Sequence, residues 1–320
     1  MYVGTTLIGG LFLAWSLGAN NSANVFGTAV GTRSMRFRTA VILIAVFATI
    51  GAAAEGPALY ESYSFSGSVS PRLALASTGA AAAAMFVLTY LSLPASASQA
   101  AAGGMMGAAV WSSGAAGSEW AKLGGWALCW AVTPVFAALI AFVCLRGAAP
   151  LLRRVSNAAL LSAIYKAGFV VSGCYGAYTL GANNVVVTTG PYFKAGLFGD
   201  PSTSMAAFLA ALTGGAGIAL GALTYSRKVM RTIGERITAL DPFSALVAVF
   251  AHSIVLHIFT HLHVPVSSAQ AIVGAVAGVG VAKGSRALNS RLLLVVLSSW
   301  VLVTLASGLL AILLAWILGC

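Results

Sequence analysis

Residues 18–21 read GANN within the apolar stretch LIGGLFLAWSLGANNSANVFGTAVG (7–31), and the same four letters return at 181–184 in YTLGANNVVVTTGP (178–191). Two adjacent carboxamides in a hydrocarbon run are costly unless each polar atom finds a partner. Outward from these letters the chain stays apolar: 59% of residues are hydrophobic, 7% are charged, and the mean hydropathy is +0.95. That composition excludes an ordinary water-soluble domain and predicts an all-α polytopic membrane protein whose main partner is the lipid bilayer. Runs such as 41–59, 73–93, 123–145, 243–261 and 292–318 are each about the length a bilayer core requires. The opening MYVGTT has neither a basic segment nor a small-residue cleavage site, so the first apolar run is expected to be a retained span.

A net charge of +11 would suggest nucleic acid in a soluble protein, but here position decides, and no nucleic-acid partner is expected. Four basic groups stand between apolar runs: Arg33, Arg36 and Arg38; Arg146, Arg153 and Arg154; Arg227, Lys228, Arg231 and Arg236; and Lys283, Arg286 and Arg291. The positive-inside bias puts them all in the cytoplasm, leaving Arg72, Lys122 and Lys194 on the far side and Lys166 to snorkel. Both termini are then outside a multi-pass protein of the cell membrane. Cys129, Cys144, Cys174 and Cys320 have no metal-ligand spacing and are expected to be small packing residues.

A second element repeats in the same order as the first. PASASQ at 94–99 returns as PVSSAQ at 265–270, so both halves contain GANN followed by Pro-x-Ser-x-x-Gln. Five crossings per half predict a first membrane repeat over 1–150 and an inverted second over 151–320, with about ten segments including broken helices or re-entrant hairpins. Glycine and asparagine are poor helix-interior residues, so a break is expected at each GANN. Such a break bares backbone amides that must line a polar cavity or pack on protein, and a half-helix start of this kind attracts anions. The Pro-x-Ser elements have matching chemistry, with Ser96, Ser98, Ser267 and Ser268 offering hydroxyls at helix starts. The alternative for any one motif is interhelical hydrogen-bond glue.

These paired elements, together with KVMRTIGERITALDP at 228–242, resemble the inorganic phosphate transporter family over nearly the whole chain. The resemblance implies an inverted-repeat carrier that moves a tetrahedral oxyanion with a coupling cation. By position, it implies anion contacts at Asn20 and Asn183, at Ser96, Ala97 and Ser98, and at Ser267, Ser268 and Ala269. Asn21 and Asn184 stand where the family has Asp, Gln99 and Gln270 where it has His, and Val187 where the first half keeps Asn24. Ala48 occupies an acidic position of the family's second span. Asn24, Gln99 and Gln270 are expected to support the anion contacts from behind.

Every departure removes a charged or titratable group. Phosphate near neutral pH carries a P–OH donor that suits a carboxylate, whereas sulfate only accepts and is repelled by one. Amides at positions 21 and 184 therefore point to sulfate, in line with a resemblance to the family's bacterial sulfate-permease branch. The alternative is a phosphate:cation symporter. Loss of both carboxylates also weakens a sodium site, so the expected coupling ion is H+, with Na+ second and no organic cofactor. Of the acids, only Glu55 stands inside an apolar run, which makes it the candidate proton carrier, while Glu61, Glu119 and Asp200 are assigned to external loops. His252, His257, His261 and His263 crowd one segment, and the i, i+4 pair His257 and His261 could bind metal. No acid or thiol cluster accompanies them in sequence, so no metal or catalytic site is expected. An anion channel and a membrane-embedded metalloenzyme are the rival classes; a homo-oligomer is left open.

Overall fold

The computed structural model describes residues 3–60, 69–93, 95–115, 120–232, 240–284 and 290–320. Pro94, Glu61, Glu119, Glu235, Arg236 and Arg286 lie outside the described residues. The described chain is helical throughout: α1 (Val3–Thr6), α2 (Ile8–Gly31), α3 (Phe37–Glu55), α4 (Pro71–Tyr90), α5 (Ala97–Ser113) and α6 (Trp120–Leu152) precede α7 (Ala158–Asn184), α8 (Val186–Lys194), α9 (Ser204–Tyr225), α10 (Arg227–Thr232), α11 (Pro242–His261), α12 (Ser268–Ala282) and α13 (Ser290–Leu318). Among the described residues, seven helical stretches are long and apolar enough to span a bilayer. Helices α5 and α12, with 17 and 15 residues, rise only about 26 and 23 Å, short of a full hydrocarbon core.

The two halves pack on one another reciprocally. Helix α2 packs on α9 as α7 packs on α3, and α5 packs on α13 as α12 packs on α6. Glycines permit these close approaches at matched positions. A Cβ on Gly18 would stand 1.9 Å from the Ile218 carbonyl oxygen, and one on Gly181 would stand 1.9 Å from that of Ala48. The same holds for Gly221 against Trp15 and Gly51 against Tyr178, and for Gly103 against Thr304 and Gly274 against Pro134. The glycines of GANN therefore serve backbone-to-backbone helix packing.

That finding corrects the expected helix break. Helix α2 runs unbroken through Gly18, Ala19, Asn20 and Asn21. In the second half Val185 separates α7 from α8 yet keeps helical dihedrals (φ −63°, ψ −35°) and donates to the Gly181 carbonyl. The real breaks come before α5 and α12. There α4 and α11 end with Ser92 and His263 in the left-handed region (φ 59° and 56°), with Leu93 donating to the Leu88 carbonyl and Val264 to that of Phe259. His263 is thus a turn residue.

Basic residues of the described chain line two cavities. Arg33, Arg227 and Arg231 line a cavity of about 260 Å³ with Phe37, and Arg146, Arg153 and Lys283 line another of about 670 Å³ with Tyr165 at the start of α7.

Candidate functional site

The polar residues of the repeats form two matched staples. Asn20, fully buried on α2, donates through Nδ2 to Thr89 Oγ1 (3.1 Å) and the Leu93 carbonyl (2.9 Å), and its Oδ1 accepts from the Ala95 N–H (2.9 Å). Asn183 repeats this with Thr260 (3.1 Å), the Val264 carbonyl (3.1 Å) and the Val266 N–H (3.0 Å). Each staple satisfies the bare backbone between two helices of a hairpin, which is why the asparagine does not compete for its own helix. Both amide hydrogens are committed, so Asn20 and Asn183 position the break and have no hydrogen left for the anion expected to touch them.

At those breaks the short helices begin. Ser96 Oγ caps α5 by accepting from the Gln99 N–H (3.4 Å), and Ser267 Oγ caps α12 by accepting from the Gln270 N–H (3.2 Å). The next two N–H groups of each first turn, from Ala97 and Ser98 and from Ser268 and Ala269, have no intrahelical acceptor. Ala97 and Ala269 are fully buried and let the backbone come close, and Ser98 Oγ lies 3.4 Å from Ser96 Oγ.

Both helix starts meet one face of α2. Asn20 holds the link into α5; Asn24, one turn or about 6 Å further on, donates through Nδ2 to Ser268 Oγ (3.0 Å) at the start of α12. Ser268 Oγ also lies 2.9 Å from His252 Nε2. This chain of three crosses between the halves and has no mirror image, because the repeat offsets put Val187, Ala97 and Ala81 at the corresponding positions. His252 is fully buried and touches the site, a role that the sequence reading, which grouped it with the other histidines, missed.

Around these starts, five buried amide oxygens have no hydrogen-bond partner among the described residues: Oδ1 of Asn21, Asn24 and Asn184, and Oε1 of Gln99 and Gln270. Asn184 Nδ2 donates to the Leu180 carbonyl (3.2 Å). Turning that amide over would set oxygen against oxygen, so Asn184 presents its free Oδ1 as an acceptor and keeps its second Nδ2 hydrogen as a donor. Asn21 Nδ2 makes no hydrogen bond among the described residues and remains a donor. Ala48, at the family's acidic position, is fully buried, and its backbone carbonyl faces the close approach of Gly181.

The structure also brings together what the sequence kept apart. Glu55 ends α3 beside His257 and His261 of α11, overturning the expectation that no acid accompanies the histidines.

Helix starts with bare amides inside an internally repeated bundle of long apolar helices are features of polytopic membrane transporters. The phosphate transporter family model matches residues 17–164 and 152–311, so the chain belongs to that family. Among its relatives, a protein of Pyrococcus furiosus named "Putative phosphate permease" is 26% identical over 96% of this chain and 93% of its own length. The chloroplastic inorganic phosphate transporter 2-1 of Arabidopsis thaliana is 25% identical over 98% of this chain and 71% of its own. A solved structure titled "The sodium-dependent phosphate transporter" shares the fold with a TM-score of 0.88 at 24% identity, covering 99% of this chain and 98% of that one. These names are phosphate names, and none of them carries the expected sulfate branch.

Proposed function

We propose that the chain is a secondary carrier that moves a tetrahedral oxyanion by alternating access, with the anion seated between the first turns of α5 and α12. The observation that carries this reading is the meeting of both helix starts on one face of α2, with four free backbone N–H groups and the Ser96, Ser98, Ser267 and Ser268 hydroxyls buried around them. Two helix dipoles then aim their positive ends at one place, and the internal repeat lets either end of the bundle open to it. The basic groups face the cytoplasm of the cell membrane, with both chain termini outside.

Phosphate is the first cargo. Its relatives bear phosphate names, and a P–OH group satisfies the acceptor that Asn184 presents. Sulfate is the second reading, favoured by amides at 21 and 184 that leave no like charge beside a fully ionised anion. The coupling ion in this proposal is a proton. Sodium is the alternative, because unpartnered amide oxygens are hard neutral ligands of the kind it takes, and the structural relative is titled as sodium-dependent.

Uptake of radiolabelled phosphate and sulfate into proteoliposomes tests all three choices. An inward proton gradient should drive accumulation of phosphate above its outside concentration. Accumulation of sulfate that excess phosphate fails to compete moves the cargo to the second reading, and uptake that follows a sodium gradient alone moves the coupling. Flux that only equilibrates, whatever gradient is imposed, rejects the carrier in favour of a channel.

A further inference from the structure

The internal repeat pairs a cluster of aromatic rings at one end of the molecule with a cluster of ligating groups at the other. The offset between the GANN copies pairs Phe12 with Tyr175 and Trp15 with Tyr178; the Pro-x-Ser offset pairs Phe86 with His257 and Tyr90 with His261; and the matched contacts of Gly51 and Gly221 pair Glu55 with Tyr225. In the first set the rings pack on one another: Trp15 lies 6.1 Å from Phe86 and 5.7 Å from Tyr225, centroid to centroid. That place in the fold is therefore filled mainly by aromatic rings. In the second set the same shape is built from a carboxylate, two imidazoles and two phenols, a choice that packing does not require.

The geometry points to a site for one divalent transition-metal ion of the zinc class, held by Glu55, His257 and His261. One ligand atom from each of the three lies within 4.8 Å of the others. Glu55 Oε2 and His257 Nε2 face each other at 3.6 Å, close to the separation of about 3.3 Å between two ligands of a tetrahedral ion with bonds of about 2.0 Å. Both atoms are buried, and neither has a hydrogen-bond partner among the described residues. Their other sides are held: Tyr178 donates to Glu55 Oε1 (2.7 Å), and the Tyr175 hydroxyl pairs with His257 Nδ1. Such outer partners fix ligand orientation and leave the free atoms turned inward. His261, one turn beyond His257 at the exposed end of α11, closes the set with its ring centroid 4.5 Å from that of His257. A helix C-terminus favours a cation there, and two imidazoles with one carboxylate suit zinc, cobalt or nickel better than calcium or magnesium. Water completes the coordination. The bound ion ties the ends of α3 and α11, one from each sequence half, across α7, on which both pack.

Cobalt(II) and zinc titrations of the full-length, tag-free protein in detergent test the assignment. The expected result is one ion per chain, with the intense visible absorption of four-coordinate cobalt that zinc abolishes. Glu55→Gln and His261→Ala should each weaken zinc binding by more than about 100-fold, and Tyr178→Phe by about 10-fold or more, while His263→Ala leaves it unchanged. Only the weak spectrum of hexaaquo cobalt, or equal zinc affinity in the wild type, Glu55→Gln and His261→Ala, overturns the site. Because a carboxamide or a methyl group can disturb folding, Glu55→Tyr/His257→Phe/His261→Tyr, which copies the aromatic set, serves as a second variant. It should retain wild-type thermal stability and lose the ion; if it retains both, the site is rejected.

Discussion

The aromatic set of Phe12, Trp15, Phe86, Tyr90 and Tyr225 and the ligating set of Tyr175, Tyr178, Glu55, His257 and His261 occupy equivalent places in an internally repeated fold, yet they differ in almost every chemical respect. In the first, Lys228 lies 5.8 Å above the rings of both Tyr90 and Tyr225, and Trp15 Nε1 finds Thr224 Oγ1 at 2.8 Å. In the second, no basic side chain takes that place, and the polar tips point at one another. The Asn20 and Asn183 staples, by contrast, agree to within 0.2 Å in each of their three bonds. Features that the repeat holds identical build the frame. Features that it lets diverge are free to carry an activity belonging to one end only.

The frame should break first and equally in both halves. Gly18→Ala and Gly181→Ala each force a methyl group onto a backbone carbonyl, and each should cost about 3 kcal/mol or more in thermal unfolding in detergent. A mild effect in one alone would mean that the halves do not share that packing. Asn20→Ala and Asn183→Ala leave buried carbonyls and an N–H group without partners, at about 2 to 3 kcal/mol apiece. Unequal losses would end the argument from symmetry.

Substitutions at the anion seat sharpen the contrast by acting on transport. Asn21→Asp and Asn184→Asp should slow sulfate uptake roughly tenfold or more at neutral pH by setting like charge beside it. The loss should ease as acid protonates the new carboxyl, which then donates. Phosphate should suffer less, since its P–OH can meet the carboxylate. Equal slowing of both anions at every pH would assign these positions to packing.

Smallest of all is the effect expected at Asp241, the N-cap of α11. Burial pushes its pKa up, but the Lys283 ammonium, then the Ser244 hydroxyl and N–H, outweigh that and hold it below the ordinary carboxylate value. A carboxyl so depressed contributes stability above its unfolded pKa and loses it as pH falls through the folded one. Asp241→Asn should therefore flatten the acid limb of the stability profile slightly, within about 1 kcal/mol given that the pair is half exposed.

The repeat, the polytopic class and the hairpins before α5 and α12 were legible because each leaves a period or a composition in the letters. The helix break at GANN was misread because propensity sees glycine and asparagine only within their own helix. Gly18 is set by the Ile218 backbone across the bundle, and Asn20 by a turn 73 residues away. The meeting of Glu55 with His257 was hidden for the same reason: α7 brings them together, and nothing in either segment announces it. Overlaying the two halves on the GANN and Pro-x-Ser offsets pairs the aromatic residues with Tyr175, Tyr178, His257 and His261, whereas the pairing of Glu55 with Tyr225 comes from the contacts of Gly51 and Gly221.

Equilibrium binding of labelled phosphate to the purified protein, compared between wild type, Ser98→Ala and Ser268→Ala, tests most directly whether the anion sits between the two helix starts. Loss of one hydroxyl donor to a charged acceptor costs about 1.5 to 3 kcal/mol, so each variant should bind roughly tenfold to a hundredfold more weakly. Wild-type affinity in both variants would contradict the seat.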